Sequence, residues 1–511
     1  MITLDPRLSR VDKNRVQISN AYDIDATLFA NEEVPVDSAS VTELIELLEL
    51  KQTVEQIADC LPGYFDSSPH ISNVALTPDF HKGKGVPVGT VLTTQGFIVP
   101  QAIGNDINCG MRLHTTSLAA EQVSDNLDQL ETTCRHIFFE GGRNIPMSRV
   151  QREALFTNGI SGLLNATTKD LTEGIWSTFH ELNIGDELNH ISQKGSLKAT
   201  TTFGLGDFLG PSDRLSRDSQ IGSIGGGNHF VEIQYVKKII DGTTAYAWGL
   251  KPGKVTVMVH TGSVAIGHLS GTYYNELIRK LYPQTLTYPA NGIFPLPTGE
   301  ANQEQIDKFW DALANAGNFA FANRLFLAIM TLEALNSHFG AVDFSLVYDA
   351  PHNFVWRELI NGEEHFVHRK GACPAHGFAE MANTPFEYYG EPVIVPGSMG
   401  ASSYILAGQG NPESSCSASH GAGRILSRGK ALKGHEDEFD TFLEKFRVVT
   451  PVDLRRQDIK LRKDIVEQKL ADIKQEAPFA YKGITPVVET LAGAGLATPV
   501  AELEPLMTIK G

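Results

Sequence analysis

Short β-branched runs, each cut off by glycine, constrain this chain more than any other feature of its sequence. Residues 74–113 contain "VPVGTVLTTQGFIVP", a text of strands and tight turns. Similar runs recur at 255–259, 342–347 and 392–395. Helical text lies between them. Ser40 is placed to cap a helix over residues 41–61 that has Leu44, Leu47, Leu48 and Ile57 on one face. Residues 305–338 read as one or two long helices ended by Gly340, and the last ninety or so return to helix, with the basic stretch "RRQDIKLRK". These segments alternate without a βαβ rhythm, which predicts an α+β fold rather than a doubly wound sheet. No fixed-period repeat or low-complexity linker interrupts the text, so a single large domain over 1–511 is expected. The glycine-rich pieces "GKGVPVG" and "GGGNH" fit neither the dinucleotide fingerprint nor the P-loop.

At 511 residues, with 41% apolar and 20% charged residues, the chain can bury a large core without disulfide staples. The N-terminal stretch 1–22 has no apolar h-region, and no run approaches the length of a membrane helix. A cytoplasmic location, with no membrane partner, is therefore expected. Cys60, Cys109, Cys134, Cys373 and Cys416 are odd in number, scattered and free of CxxC pairs. That argues against both a disulfide framework and a zinc ribbon, and for a reducing compartment. A net charge of -17 argues against a nonspecific nucleic-acid coat protein. An enzyme that grips one strand end needs only a local basic patch and a metal.

Five of the chain's histidines and acids sit in glycine-flanked turns directly after strand-like runs, where a rigid scaffold presents functional groups. The contexts are "GNDINCGMR" (Asp106, Cys109), "GGGNHFVE" (Asn228, His229), "VMVHTGS" (His260), "APHN" (His352, Asn353) and "SASHGAGR" (His420). Asp106 and Cys109 are three apart in one turn and can reach one ion, and a thiolate can bridge two metals. Mixed sulfur, nitrogen and oxygen ligands suit manganese, iron, zinc or cobalt. The competing reading is structural, since most histidines bind no metal and most isolated cysteines are small buried hydrophobes.

The segments "PDFHKGKGVPVGTVL", "GNDINCGMR", "GSIGGGNHFVEIQ", "HTGSVAIGH", "AGNFAFANR", "HNFVWRE…VHRKGA", "PGSMGASSYIL", "SASHGAGRILSR" and "APFAYKG…MTIKG" resemble, in order, the motifs of RtcB-type RNA-splicing ligases. The resemblance runs from about Pro78 to Gly511. It implies a large α+β domain around a deep metal-lined pocket and two Mn(II) ions sharing Cys109. Asp106 and His229 would complete one ion's shell, His260 and His352 the other's. His420 matches the nucleophile that takes GMP from GTP. Asn228, Phe230, Glu232, Asn353, Ser398, Ser403, Tyr481 and Lys510 match nucleotide contacts, and Arg424 is placed as a planar phosphate partner. The implied reaction joins RNA 3′-phosphate or 2′,3′-cyclic phosphate ends to 5′-hydroxyl ends. An archease-type activator is an expected partner.

Three departures bear on that expectation. "HTGSVAIGH" carries Val264 where relatives have arginine, "RKGACPA" carries Cys373 and Pro374 where a hydroxyl and a second arginine are usual, and "AYKGI" has Gly483 in place of an acid. Two cationic groups facing the polynucleotide are thereby lost, while Lys82 and Lys84 lie in a nearby motif. Three readings follow: a ligase of altered end specificity, an enzyme that caps 3′-phosphate ends of RNA or DNA without sealing, and a GTP-independent dinuclear metallophosphoesterase.

Overall fold

Two sheets carry the β-branched runs. The first has seven strands in the order Leu8–Arg10, Arg15–Ile18, Ala26–Phe29, His70–His81, Val88–Gln95, Glu363–Lys370 and Asn353–Ile360. The second runs Phe344–Pro351, Gly110–Ala119, Lys254–Thr261, Phe230–Ile239, Ala497–Ile509, Ser403–Gly408 and Pro392–Val395, with Arg447–Val449 added beside Ala497–Ile509. Neighbours are antiparallel except where Ala26–Phe29 meets His70–His81 and where Arg447–Val449 joins. This is the expected α+β class, in one large domain. The computed structural model describes residues 5–65, 68–212 and 214–511, so positions 1–4 of the charged N-terminal stretch lie outside the described residues. Among the described residues no helix is long and apolar enough to cross a membrane.

The helical text at 305–338 is one helix, Gln303–Phe339, of 37 residues. Every residue from Asp311 to Leu332 in it is buried, as befits a helix enclosed on all sides. It packs against the strands Gly110–Ala119 and Lys254–Thr261 and against the helices Arg149–Ala166 and Val264–Leu281. Gly340 follows it at φ 76°, a left-handed stop that glycine accepts without strain.

Several expectations need correction. Residues 41–61 form two helices, Ser38–Leu48 and Leu50–Cys60, and the first is capped by Asp37, not Ser40. The Asp37 carboxylate accepts from Ala39 N, while the Ser40 hydroxyl donates back to the Asp37 carbonyl. The strand expected at 342–347 runs Phe344–Pro351. The C-terminal region is not helix throughout, since Ala497–Ile509 is a strand in the middle of the second sheet. Its "AELEPLMTI" alternates apolar and polar residues at the strand period. Pro505, which cannot donate to a ladder, falls at a register shift against Ile233 and Gln234.

Candidate functional site

The four metal-type turns meet because their strands are antiparallel neighbours. Gly110 pairs with both Thr261 and Pro351, and Phe230 pairs with His260. Strand starts and strand ends therefore alternate along one edge of the second sheet. Cys109 just precedes one strand, His229 precedes another, His260 lies near the end of a third, and His352 follows the fourth. Gly262 leaves space here, because a Cβ on it would lie 2.5 Å from Asp106 Oδ1.

Asp106, Cys109 and His229 form one group of potential ligand atoms, and Cys109, His260 and His352 form another. Cys109 Sγ lies 3.2 Å from His229 Nε2 and 3.4 Å from His260 Nε2, and His260 Nε2 lies 3.2 Å from His352 Nε2. His229 Nδ1 faces the Ile224 carbonyl at 3.1 Å, which places the ring proton there and the lone pair on Nε2. That lone pair points at Asp106 Oδ2, 2.8 Å away. Among the described residues neither Asp106 oxygen accepts a hydrogen bond of good geometry, nor has His352 Nδ1 a partner. Burial alone would raise the Asp106 carboxyl, but His229, Cys109 and the Val264 N–H stand close enough to hold it below the usual value. Two acceptors this close, with no proton between them, are an arrangement that a cation relieves. The donor set therefore fits metal. Burial, and then the two neighbouring imidazoles, pushes His352 well below the ordinary histidine value, and burial does the same to His260. Both rings stay neutral, the form that ligates. Burial, reinforced by Asp106, pushes the Cys109 thiol well up, so its deprotonation is tied to metal binding.

One side chain that the sequence reading left without a role braces these turns. Arg324, fully buried in the long helix, donates from Nε to Asp349 Oδ1 (2.8 Å), from one terminal nitrogen to the carbonyls of Asn108 (2.6 Å) and Thr261 (3.0 Å), and from the other to Asn108 Oδ1 (2.9 Å). It thus holds the neighbours of Cys109 and His260 and the strand leading to His352.

His420 directly follows the short strand Ser417–Ser419. Its Nδ1 lies 2.6 Å from Asp79 Oδ2 and 2.7 Å from the Gly371 carbonyl. Both partners are acceptors, so Nδ1 carries the proton and Nε2 the lone pair. Burial alone would raise the Asp79 carboxyl, but His420 and the Thr77 hydroxyl outweigh it and hold the group below its usual value. Asp79 is a residue the sequence reading missed. It sits in "PDFHKGKG", where its distance in sequence from His420 hid the contact. The His420 ring lies 4.5 Å from that of His352.

These groups line one cavity of about 540 Å³, a volume that suits a small ligand such as a nucleotide. Asn228, Phe230, Asn353, Ser398, Arg424, Tyr481 and Lys510 also line it. Glu232 and Ser403 are not on its wall. They are joined through Gln234, whose amide donates to Glu232 (2.6 Å) and Ser403 (3.0 Å), and the Thr508 hydroxyl also donates to Glu232. Burial raises the Glu232 carboxyl to about 7. Arg424 is largely committed within the protein, to Glu476, Tyr481, Leu426 O and Gln475 O. Asn353 accepts from Gly371 N and donates to Asp106 O. Lys510 donates to the Gly227 and His229 carbonyls.

Val264 begins the helix Val264–Leu281 with φ 49°. It is the one β-branched residue among the described non-glycine residues with positive φ, and such a conformation costs about 1–3 kcal/mol.

A family model described as tRNA-splicing ligase RtcB matches residues 65–511. The tRNA-splicing ligase RtcB of Thermococcus kodakarensis is 30% identical over 524 aligned positions, covering 99% of both chains. That of Methanococcus maripaludis is 31% identical, covering 89% of this chain and 91% of its own. The Pyrobaculum aerophilum protein of the same name is 31% identical over 94% and 95%.

Proposed function

The chain belongs to the RtcB family of tRNA-splicing ligases, and from that footing we propose that it is a manganese- and GTP-dependent ligase. It would join RNA 3′-phosphate or 2′,3′-cyclic phosphate ends to 5′-hydroxyl ends through a histidine–GMP intermediate. The observation that carries this reading is a histidine with a free Nε2, oriented by a buried carboxylate, in the same cavity as two ligand groups that share one thiol.

Asp106, Cys109 and His229 would hold one Mn(II), and Cys109, His260 and His352 the other. When bound, the ions supply Lewis-acid neutralisation of charge building on phosphate oxygens. Asp79 and the Gly371 carbonyl keep the His420 proton on Nδ1, leaving Nε2 as the nucleophile. Nε2 attacks the α-phosphorus of GTP, an N–P bond forms, the bond to the β-phosphate oxygen breaks, and pyrophosphate leaves. Asp79 stabilises the positive ring that results. A 2′,3′-cyclic end first takes up water, which breaks the bond to the 2′ oxygen. An oxygen of the RNA 3′-phosphate then forms a bond to the GMP phosphorus as the N–P bond breaks, releasing His420. The 5′-hydroxyl oxygen finally attacks that activated phosphate, GMP leaves, and a phosphodiester remains. Asn228, Phe230, Ser398, Tyr481 and Lys510 are the nucleotide contacts on the cavity wall. Glu232 and Ser403 would act from behind it through Gln234.

Incubation with α-labelled GTP and Mn(II) tests this reading. The expected adduct is acid-labile and alkali-stable, and absent from His420→Ala. Label that survives that substitution would remove His420 as the nucleophile, and phosphatase turnover without any label would favour a GTP-independent phosphoesterase instead. Val264 favours a second reading, capping of RNA or DNA 3′-phosphates without sealing. A charge-assisted arginine–phosphate contact contributes about 1.5–3 kcal/mol, and valine offers none. Val264→Arg should then raise sealing about ten- to a hundredfold while leaving His420 labelling in place. Robust wild-type sealing that the arginine fails to improve would dispose of the capping reading. Action in the cytoplasm suits the five unpaired cysteines, and turnover with and without an archease-type protein decides whether an activator is needed.

A further inference from the structure

The chain has 43 basic and 60 acidic residues, yet its cavity reverses the balance. Lys82, Lys84, Lys370, Arg424, Arg428 and Lys510 line the wall against Asp106 and Glu476 alone among acids. Such clustering focuses a positive field into the cleft. Four of these cations are already engaged. Lys370 Nζ donates to the Val86 carbonyl at 2.6 Å, Lys510 to Gly227 and His229, and Arg424 and Arg428 share Glu476. Lys82 and Lys84 are exposed at the cavity's rim, and among the described residues neither side chain makes a hydrogen bond or ion pair.

The turn that carries them is nevertheless held firmly. Glu43, buried on the helix Ser38–Leu48, accepts from Gly83 N and Gly85 N at 2.7 Å each. Burying a carboxylate is costly unless it is hydrogen-bonded, and here both oxygens are committed to fixing this one turn. Lys370 pins its far end through Val86. A turn fastened from below by an anion and from the side by a cation presents to solvent two lysines that no carboxylate among the described residues pairs.

We infer that Lys82 and Lys84 hold the phosphodiester backbone of a single-stranded polynucleotide whose 3′-phosphate end lies inside the cavity. The inference rests on the ligase reading of the same cavity, and it supplies at the rim the positive charge that Val264 does not. Lysine ammoniums are point charges on flexible stems. They position a strand without reading its bases, so the rim contact is indifferent to sequence.

The test is fluorescence anisotropy of a labelled single-stranded RNA bearing a 3′-phosphate, titrated with the Mn(II)-loaded chain over a series of salt concentrations. Lys82→Ala/Lys84→Ala should weaken binding about ten- to a hundredfold. Its plot of log affinity against log salt should be shallower by about 1.4, at about 0.7 per phosphate contact on a single strand. Lys82→Arg/Lys84→Arg should restore both affinity and slope, a recovery that a merely structural role would not produce. Equal affinity and slope in the wild type and the alanine variant would overturn the inference. So would a wild type that does not bind the RNA, or that prefers an acidic peptide of equal charge. Parallel labelling with α-labelled GTP keeps the two claims apart: RNA binding that depends on the lysines, without any GTP adduct, defeats the ligase chemistry and leaves the rim contact standing.

Discussion

Cys109 is the one side chain common to both ligand groups, so its removal acts on both at once. Cys109→Ala is expected to leave neither metal position filled by elemental analysis, whereas Cys60→Ser, at an exposed site, should retain two ions per chain. Two ions in Cys109→Ala would mean that the thiol is not shared. The second residue-scale expectation concerns Asp79. Asp79→Asn removes the charge that would stabilise the positive ring formed when His420 takes GMP, and weakens its hold on the Nδ1 proton. Loss of one charge-assisted hydrogen bond, about 1.5–3 kcal/mol, should slow His420 labelling about ten- to a hundredfold without changing metal content. A labelling rate equal to wild type would show that the Gly371 carbonyl orients the ring unaided. A third follows from Lys370 and Lys510, both on the cavity wall and each lowered to about 8 by burial. A lysine with a lowered value is charged below pH 8 and loses its charge as pH rises through it. Phosphate affinity should therefore be full about one pH unit below 8 and decline as pH rises through 8, and a labelling rate flat to about pH 9.5 would contradict that.

At the scale of elements, the long helix Gln303–Phe339 braces the site through Arg324. Arg324→Met would leave Asp349 buried with one cation, Arg112, and would unfasten Asn108 and Thr261. Breaking such a pair costs about 3–5 kcal/mol. Arg324→Lys keeps the charge but not the planar fork, so it should recover part of the stability and little of the metal content. A lysine variant with wild-type metal content would reduce the residue to a charge partner. Elements also explain what the sequence made legible. The turns at Cys109, His229 and His260 were readable because each pairs a strand-like run with glycine and a ligand-type residue, and that at His352 because a strand-like run ends there in proline and a ligand-type residue. The partnership of Asp79 with His420 was not, because a contact across 341 residues leaves no local pattern. Arg324 was hidden for another reason: within a helix buried on every side, nothing in the periodicity separates a brace from ordinary core. The strand Ala497–Ile509 was overlooked although its alternation is present, because the helical text around it dominated the reading.

The whole molecule places a cationic cavity in an acidic protein. A net charge of -17 disfavours nonspecific nucleic-acid binding, so binding should favour strand ends and weaken with salt. The same view makes His352 unusual. Its strand Phe344–Pro351 belongs to one sheet and the next, Asn353–Ile360, to the other, and His352 stands at the crossing. Its N–H donates to Cys109 O, and its carbonyl accepts from Ala372 N. An ion held by His352 together with Cys109 and His260 would act as a rivet at that seam, and the seam's mechanical strength would become a property of the metal. Pulled in a force spectrometer from handles on the two sheets, the Mn(II)-loaded chain should part at a higher force than the chelated one. His352→Ala should part at the lower force whether or not metal is present.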